Sequence, residues 1–237
     1  MRILVAPNPA LREKSMPVTL EEIETLKPIA GQLAELMYES QGCGLAAPQV
    51  GINKRLIVVD VTPLDEDGNT VEKNPVFYFN PVVKRLWGDR ELTDEGCLSI
   101  PGIQIPIERY NNIEVEARDL DGELFTVEAE GFHARALQHE LDHLEGKTMF
   151  EHLDPLERIE MLKKYEEALQ AGAKPGDTTL EEVKGSGGKD GAGGRSGKDD
   201  AGGRSGKDGA GGRSGKDDAG GSSGKDGNGG RSGKHNS

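Results

Sequence analysis

Gln138-His139-Glu140-Leu141-Asp142-His143 packs four residues able to bind a metal or a proton into six positions. Residues 131–144 around it read as a helix, and in a helix residues four apart share a face. His139 and His143 would then present both imidazoles to one metal ion, with Glu140 beside the open coordination position. A divalent metal lowers the pKa of bound water, and a neighbouring carboxylate can take the proton and return it later. The hexapeptide therefore points to metal-assisted hydrolysis. The bond that is cut and the third ligand stay open on these residues alone, and such a histidine pair can also be two surface residues.

The segments outward from this helix set the fold class. Upstream, Ile113 to Ala117 alternates apolar and polar residues, and Phe125 to Ala129 answers it across Asp121-Gly122, the signal of a hairpin. Arg55 to Val61 and Val76 to Val83 are β-rich runs that read as strands. Thr19-Leu20-Glu21-Glu22 has the form of a capping box. It opens an amphipathic helix on Ile23, Leu26, Ile29, Leu33, Leu36 and Met37, with a kink or restart expected at Pro28 and a stop at Gly42. Asp154-Pro155 starts one more helix, whose apolar stripe is expected to be Leu156, Ile159, Leu162, Tyr165 and Leu169. Strands in the middle with helices around them give an α+β fold: antiparallel or mixed sheets packed around a central metal-binding helix, followed by a C-terminal helix. Asp65 to Asn69 reads as a plain turn, without the alternating oxygen ligands of a calcium loop.

Composition divides the chain. From Gly185 to Ser237 there is no large apolar residue, and 21 of the 34 glycines fall there. Such a segment cannot offset the entropy of ordering its backbone and reads as a disordered tail. It repeats a Gly-Gly-Arg-Ser-Gly-Lys-Asp-Asp/Gly-Ala nonapeptide over 193–219, without the large apolar residue that a calcium-binding β-roll needs. The organisation is then a catalytic domain over 1–171, a linker over 172–184 and the tail over 185–237. The tail carries ten Lys/Arg against seven Asp, whereas the remainder has 19 basic and 35 acidic residues. An acidic body argues against DNA as a partner. No apolar run approaches the roughly 20 residues of a membrane span, and the opening Met1 to Pro7 is too short for a signal peptide, so a cytoplasmic location is expected. The two cysteines, Cys43 and Cys97, are too few for a disulfide framework, and one beside a histidine pair reads better as a ligand.

Two further strings complete a constellation: Gly42-Cys43-Gly44-Leu45-Ala46-Ala47-Pro48-Gln49 and Glu95-Gly96-Cys97-Leu98-Ser99. Together with residues 138–143, and with Pro9, Leu11 and Arg12 near the amino terminus, they resemble the signature motifs of the peptide deformylases. The resemblance spans about residues 1–165. It implies hydrolytic removal of the N-formyl group from the formylmethionine of new polypeptides. It further implies Cys97, His139 and His143 as metal ligands and Glu140 as general base and acid. Gln49 and the Leu98 N–H would hold the oxyanion, and Gly42, Gly44, Glu95 and Gly96 would contact the substrate. Fe(II) is the metal it favours, with Zn, Ni or Co as substitutes, and a thiolate ligand suits a softer metal. Its partners would be N-formylmethionyl peptides and nascent chains. The tail lies outside the resemblance: its small positive balance could favour RNA and so a ribosome contact, but an inert solubilising spacer is the reading that so small a charge favours.

Two rival functions meet obstacles in the same residues. Residues 139–149 follow the metzincin pattern until Met149 replaces the last histidine, which leaves a protease one ligand short. A non-catalytic ribosome-binding module is the alternative from another class, and the intact Glu140 and ligand set oppose it. Asp142 is expected to orient a ligand or pack the helix, Arg135 to form a structural ion pair, Gln138 to be an ordinary core hydrogen-bonder, and His152 and His235 to be exposed and unpartnered. Cys43 stands where the family usually has a small aliphatic residue, so a Cys43–Cys97 disulfide that expels the metal is an expectation.

Overall fold

The computed structural model describes residues 1–61 and 72–186. The turn expected at Asp65–Asn69, His235 and all but the first two residues of the tail lie outside them. One antiparallel sheet carries five strands in chain order: β1 (Gly44–Ala46), β2 (Leu56–Val59), β3 (Val76–Cys97), β4 (Ile100–Arg118) and β5 (Leu124–Glu130). Helix α1 (Leu20–Glu39) precedes the sheet; α2 (Gly131–Leu144), α3 (Pro155–Gln170) and α4 (Leu180–Ser186) follow it. The fold is α+β, as expected. No helix among the described residues is long and apolar enough to cross a membrane.

The run around β2 is apolar throughout because both its faces are covered. Ile57 and Val59 join Tyr78, Ile113, Val115, Leu137, Leu141 and Leu144 in the core under α2. Leu56 and Val58 point the other way, into a second core with Ile23, Leu33 and Met37 of α1. A third core joins Ile103, Ile105 and Ile107 of β4 to Tyr165 and Ala168 of α3. Helix α2 is thereby buried on nearly every side, which accounts for its fully hidden Ala134, Leu137 and Leu144. Gln138 clamps it to β4, donating to Tyr110 O at 2.8 Å and accepting from Tyr110 N at 3.2 Å. A hydrogen-bonded pair of this kind at both backbone atoms of one strand residue fixes the helix in rotation and height.

Several expectations need correction. Helix α1 continues through Pro28 without a restart, one of the two outcomes expected there. Pro28 and Glu24 are exposed, so the carbonyl that loses its partner faces water while the apolar face holds the helix together. The helix stops before Gly42: Gln41 takes the left-handed conformation at φ 57°, Gln41 N donates to Tyr38 O, and Gly42 N donates to Met37 O. That is a Schellman ending with glutamine where glycine is usual. Along α3, Leu156 and Ile159 are exposed at 78% and 53%, and the packed face is Met161, Tyr165, Ala168 and Leu169. The first turns of α3 leave their apolar residues largely in water, and Leu162 of the expected stripe is 39% exposed as well. Residues 172–184 are no free linker. Thr179 caps α4, Leu180 packs on the third core, and Val183 is buried. Bare backbone at Gly102 makes the room, since a Cβ there would lie 2.8 Å from Ala168 Cβ and 2.9 Å from Ala173 Cβ.

Candidate active site

Cys97 closes β3, and His139 and His143 stand one turn apart on α2. Their ligand atoms all lie within 4.8 Å of one another, with Cys97 Sγ 3.4 Å from His143 Nε2. The imidazoles meet edge-on, ring centroids 5.1 Å apart. Burial alone would push the Cys97 thiol up. His143 and His139 outweigh it and hold the thiol at about 5, so the sulfur is an anion at neutral pH. One thiolate and two imidazoles converging on one point are a donor set for a divalent ion, and a tetrahedral ion would keep one position open. Beside them Glu140 Oε2 is buried with no partner, as a carboxylate awaiting a proton donor would be. Burial raises the Glu140 carboxyl to about 7, against the pull of His139 and His143.

Behind the ligands lies a buried ion network. Glu95 accepts from His139 Nδ1 at 2.9 Å, from Arg109 Nε and Nη2 at 3.0 Å each, and from Arg135 at 3.1 Å. Arg109 in turn donates to Asp142 at 2.6 Å, and Asp142 meets His152 at 2.7 Å. Glu95, grouped with the substrate contacts from sequence, has both its oxygens engaged in orienting His139 and anchoring two guanidiniums. Burial opposes its ionisation, yet His139 and Arg109 hold it down to about 2. Asp142 reaches His139 only through Arg109 and Glu95. Arg135 is the structural ion-pair residue expected of it. His152 is exposed but partnered, because the turn after α2 returns it to Asp142.

Gln49 is held with one end fixed: its Oε1 accepts from Ala46 N at 2.8 Å. That leaves its amide hydrogens facing Ser99 Oγ at 3.2 Å and the Cys97 sulfur at 3.7 Å. Leu98 sits in the two-residue turn between the paired Cys97 and Ile100. Gly44, on β1, lies against the Glu140 carboxylate, and a Cβ there would stand 2.8 Å from Glu140 Cδ. At Gly42 a Cβ would meet Leu98 Cδ1 at 2.7 Å. A cavity of about 280 Å³ joins Gly42, Gly44, Gln49, Glu95, Gly96, Cys97, Leu98, His139 and Glu140. Nine of the ten residues singled out from sequence thus line one cleft; the tenth, His143, is 2% exposed and lies behind it against Cys97.

Cys43 lines the same cleft, but it packs against the core under α2. Burial and the Glu140 charge push its thiol up to about 11. A protonated thiol is a poor nucleophile, so of the two cysteines in the disulfide expected from sequence Cys97, not Cys43, is the reactive one. Both cysteines are free. Sequence reasoning missed Arg109, Ser99, Phe132 and the segment Gly176–Thr178, all at or next to the cleft. For Arg109 a signal existed: Ile103, Ile105 and Ile107 alternate with polar residues, and two places on the same face lead to Arg109.

The comparisons with known proteins agree with this geometry. Residues 1–159 match the family model described as polypeptide deformylase. A peptide deformylase of Rhizobium meliloti is 39% identical over 173 residues, covering 73% of this chain and 96% of that protein. The solved peptide deformylase of Legionella pneumophila superposes with a TM-score of 0.63 at 35% identity, covering 72% of this chain and 97% of that one. A class I type b peptide deformylase of Acinetobacter baumannii, solved with Met-Ala-Ser bound, gives 0.60 at 32% identity, covering 65% and 98%. Every ligand and every residue of the ion network falls inside the matched stretch, and this chain belongs to the polypeptide deformylase family.

Proposed function

We propose that this chain releases formate from N-formylmethionyl peptides and nascent chains, with Cys97, His139 and His143 holding a divalent metal and Glu140 moving the proton. Its family acts on that formyl group. The observation that carries the residue assignment is the buried, unpartnered Glu140 carboxylate beside three converging ligand atoms. When bound, the metal would polarise the formyl carbonyl and make water acidic enough to attack at neutral pH. Glu140 accepts the proton of the attacking water and returns it to the departing amine. Its raised pKa, about 7, suits a group that must do both. The Gln49 amide, fixed by Ala46, aims its N–H at the edge of the ligand set, where with the Leu98 N–H it would hold the developing oxyanion. Gly44 on β1 and Gly42 two residues before it carry no side chains into the cleft, so that an extended substrate can add to β1 as a strand.

Fe(II) is our choice of metal, supported by the softening effect of the Cys97 thiolate, with Zn, Ni or Co as weaker substitutes. A ribosome contact through the tail rests on charge alone. A chain shortened after Lys184 that kept the same salt-dependent ribosome binding would remove it. The central test is formate release from N-formyl-Met-Ala-Ser by anaerobically purified, Fe(II)-loaded protein beside Glu140→Ala. Release by the parent and its loss in the variant establish reaction and base together. A filled site that releases no formate in either would leave the protease and binding-module readings.

A further inference from the structure

One part of the cleft wall comes from beyond the matched family stretch. Gly176, Asp177 and Thr178 line the same cavity as Gly42, Gly96 and Leu98. They belong to the segment after α3, and three contacts hold them there. Gly102 N donates to Asp177 O at 2.8 Å. Thr178 donates from both N and Oγ1 to Glu182 at 2.9 Å. Val183, one residue on, is buried against Gly102. The segment also spans two other elements. A Cβ on Gly96 would lie 3.8 Å from Thr178 Cγ2, and a Cβ on Gly176 would lie 3.0 Å from Ser40 O at the end of α1. Backbone that touches both sides of a cleft, and is pinned by a following helix, is a wall.

That wall is charged. Asp177 and Asp94 both line the cavity, and among the described residues neither carboxylate has an ion-pair partner. Arg135, the one arginine or lysine of the lining, is spent on Glu95, Glu91 O and Ile107 O. Besides Glu140 at the ligand set, the cleft is thus left with two carboxylates that have no ion pair among the described residues.

Resting on the deformylase reading, we infer that residues 176–178 form a wall of the substrate cleft, and that Asp177, with Asp94, selects formylated peptides carrying lysine or arginine after the methionine. The selection is electrostatic. Each partly exposed pair contributes a preference of up to roughly fivefold, and it weakens as salt shortens the screening length.

The test uses the full-length, metal-loaded protein and compares kcat/KM for N-formyl-Met-Lys-Lys and N-formyl-Met-Glu-Glu. The parent should favour the basic peptide several-fold, and the ratio should shrink in about 0.5 M salt. Asp177→Asn should cut the ratio while keeping a side-chain oxygen for the Lys174 N–H, which Asp177 Oδ2 accepts at 2.7 Å. Asp94→Asn should cut it further. A parent without preference, or a ratio unchanged in Asp177→Asn, overturns the inference. The salt series needs only the parent, so a variant that folds poorly does not prevent a decision. If neither peptide yields formate, the deformylase reading fails first and takes this inference with it.

Discussion

Replacing Glu95 by glutamine removes one charge from the network behind His139 and keeps the side chain's shape. In the parent that carboxylate accepts four charge-assisted or imidazole hydrogen bonds, from Arg109 twice, Arg135 and His139. Glutamine retains one acceptor oxygen and turns two hydrogens toward groups that are themselves donors. About two charge-assisted bonds are lost, at about 1.5–3 kcal/mol each, and two buried guanidiniums share one negative charge fewer. Breaking a buried pair from one side costs about 3–5 kcal/mol, which agrees. Linkage gives a second estimate. The carboxyl is held down from 4.5 to about 2, a shift equivalent to about 3 kcal/mol. A group with a depressed folded pKa stabilises above its unfolded value, so this contribution is present above about pH 4.5 and is lost as pH falls toward 2. Denaturant unfolding of metal-free parent and variant across that window is the assay. We expect Glu95→Gln to be less stable by about 3 kcal/mol at neutral pH, with a flatter stability curve below pH 4.5. A variant within about 0.5 kcal/mol of the parent, the usual range of a harmless surface change, would refute the network account.

Three other outcomes follow from the same geometry. Gly44→Ala should leave the fold intact but push Glu140 aside, since its Cβ would fall 2.8 Å from Glu140 Cδ; a displacement near 1 Å costs about a hundredfold in rate, and formate release at the parental rate would contradict it. Gln41→Gly should raise stability by about 1 kcal/mol in thermal or denaturant unfolding, because it relieves a left-handed residue at φ 57°; an unchanged midpoint would show that the Gln41 side chain compensates. The pH profile of kcat/KM should have an acid limb between the ordinary carboxylate value of 4.5 and about 7, because Glu140 works as a base only when ionised and burial raises it. A nearby cation pulls the limb toward the lower end, and a rate flat down to about pH 4 would remove Glu140 from the role.

Much of the fold and site was legible in the residues alone. The spacing of His139 and His143 is a local property of a helix, and the capping residues Thr19 and Asp154 announce their helices within four positions. The hairpin across Asp121-Gly122 follows from alternation and turn chemistry alone. Harder to read were features whose partners are distant in sequence. Pro28 looked disruptive because the local rule counts a lost hydrogen bond, while the structure turns that carbonyl to solvent. Leu156 and Ile159 looked buried because periodicity says which residues share a face, not how far the facing core extends. Glu95 looked like a substrate contact because it adjoins Cys97, and only Arg109, Arg135 and His139 reveal where its charge goes.

Sequence by itself determined the α+β class, through residue type and short-range spacing, and the family, through its three motifs, and it named the candidate reacting residues. Tertiary structure alone decided that Glu95, Arg109, Asp142 and His152 form one chain of ion pairs, that Gly44 is bare to make room for Glu140, and that Gly176–Thr178 returns to wall the cleft. Each of these pairs groups ten or more residues apart in the chain. Their energies come from burial and shared charge, which exist only once the sheet, α2 and the chain after α3 have packed together.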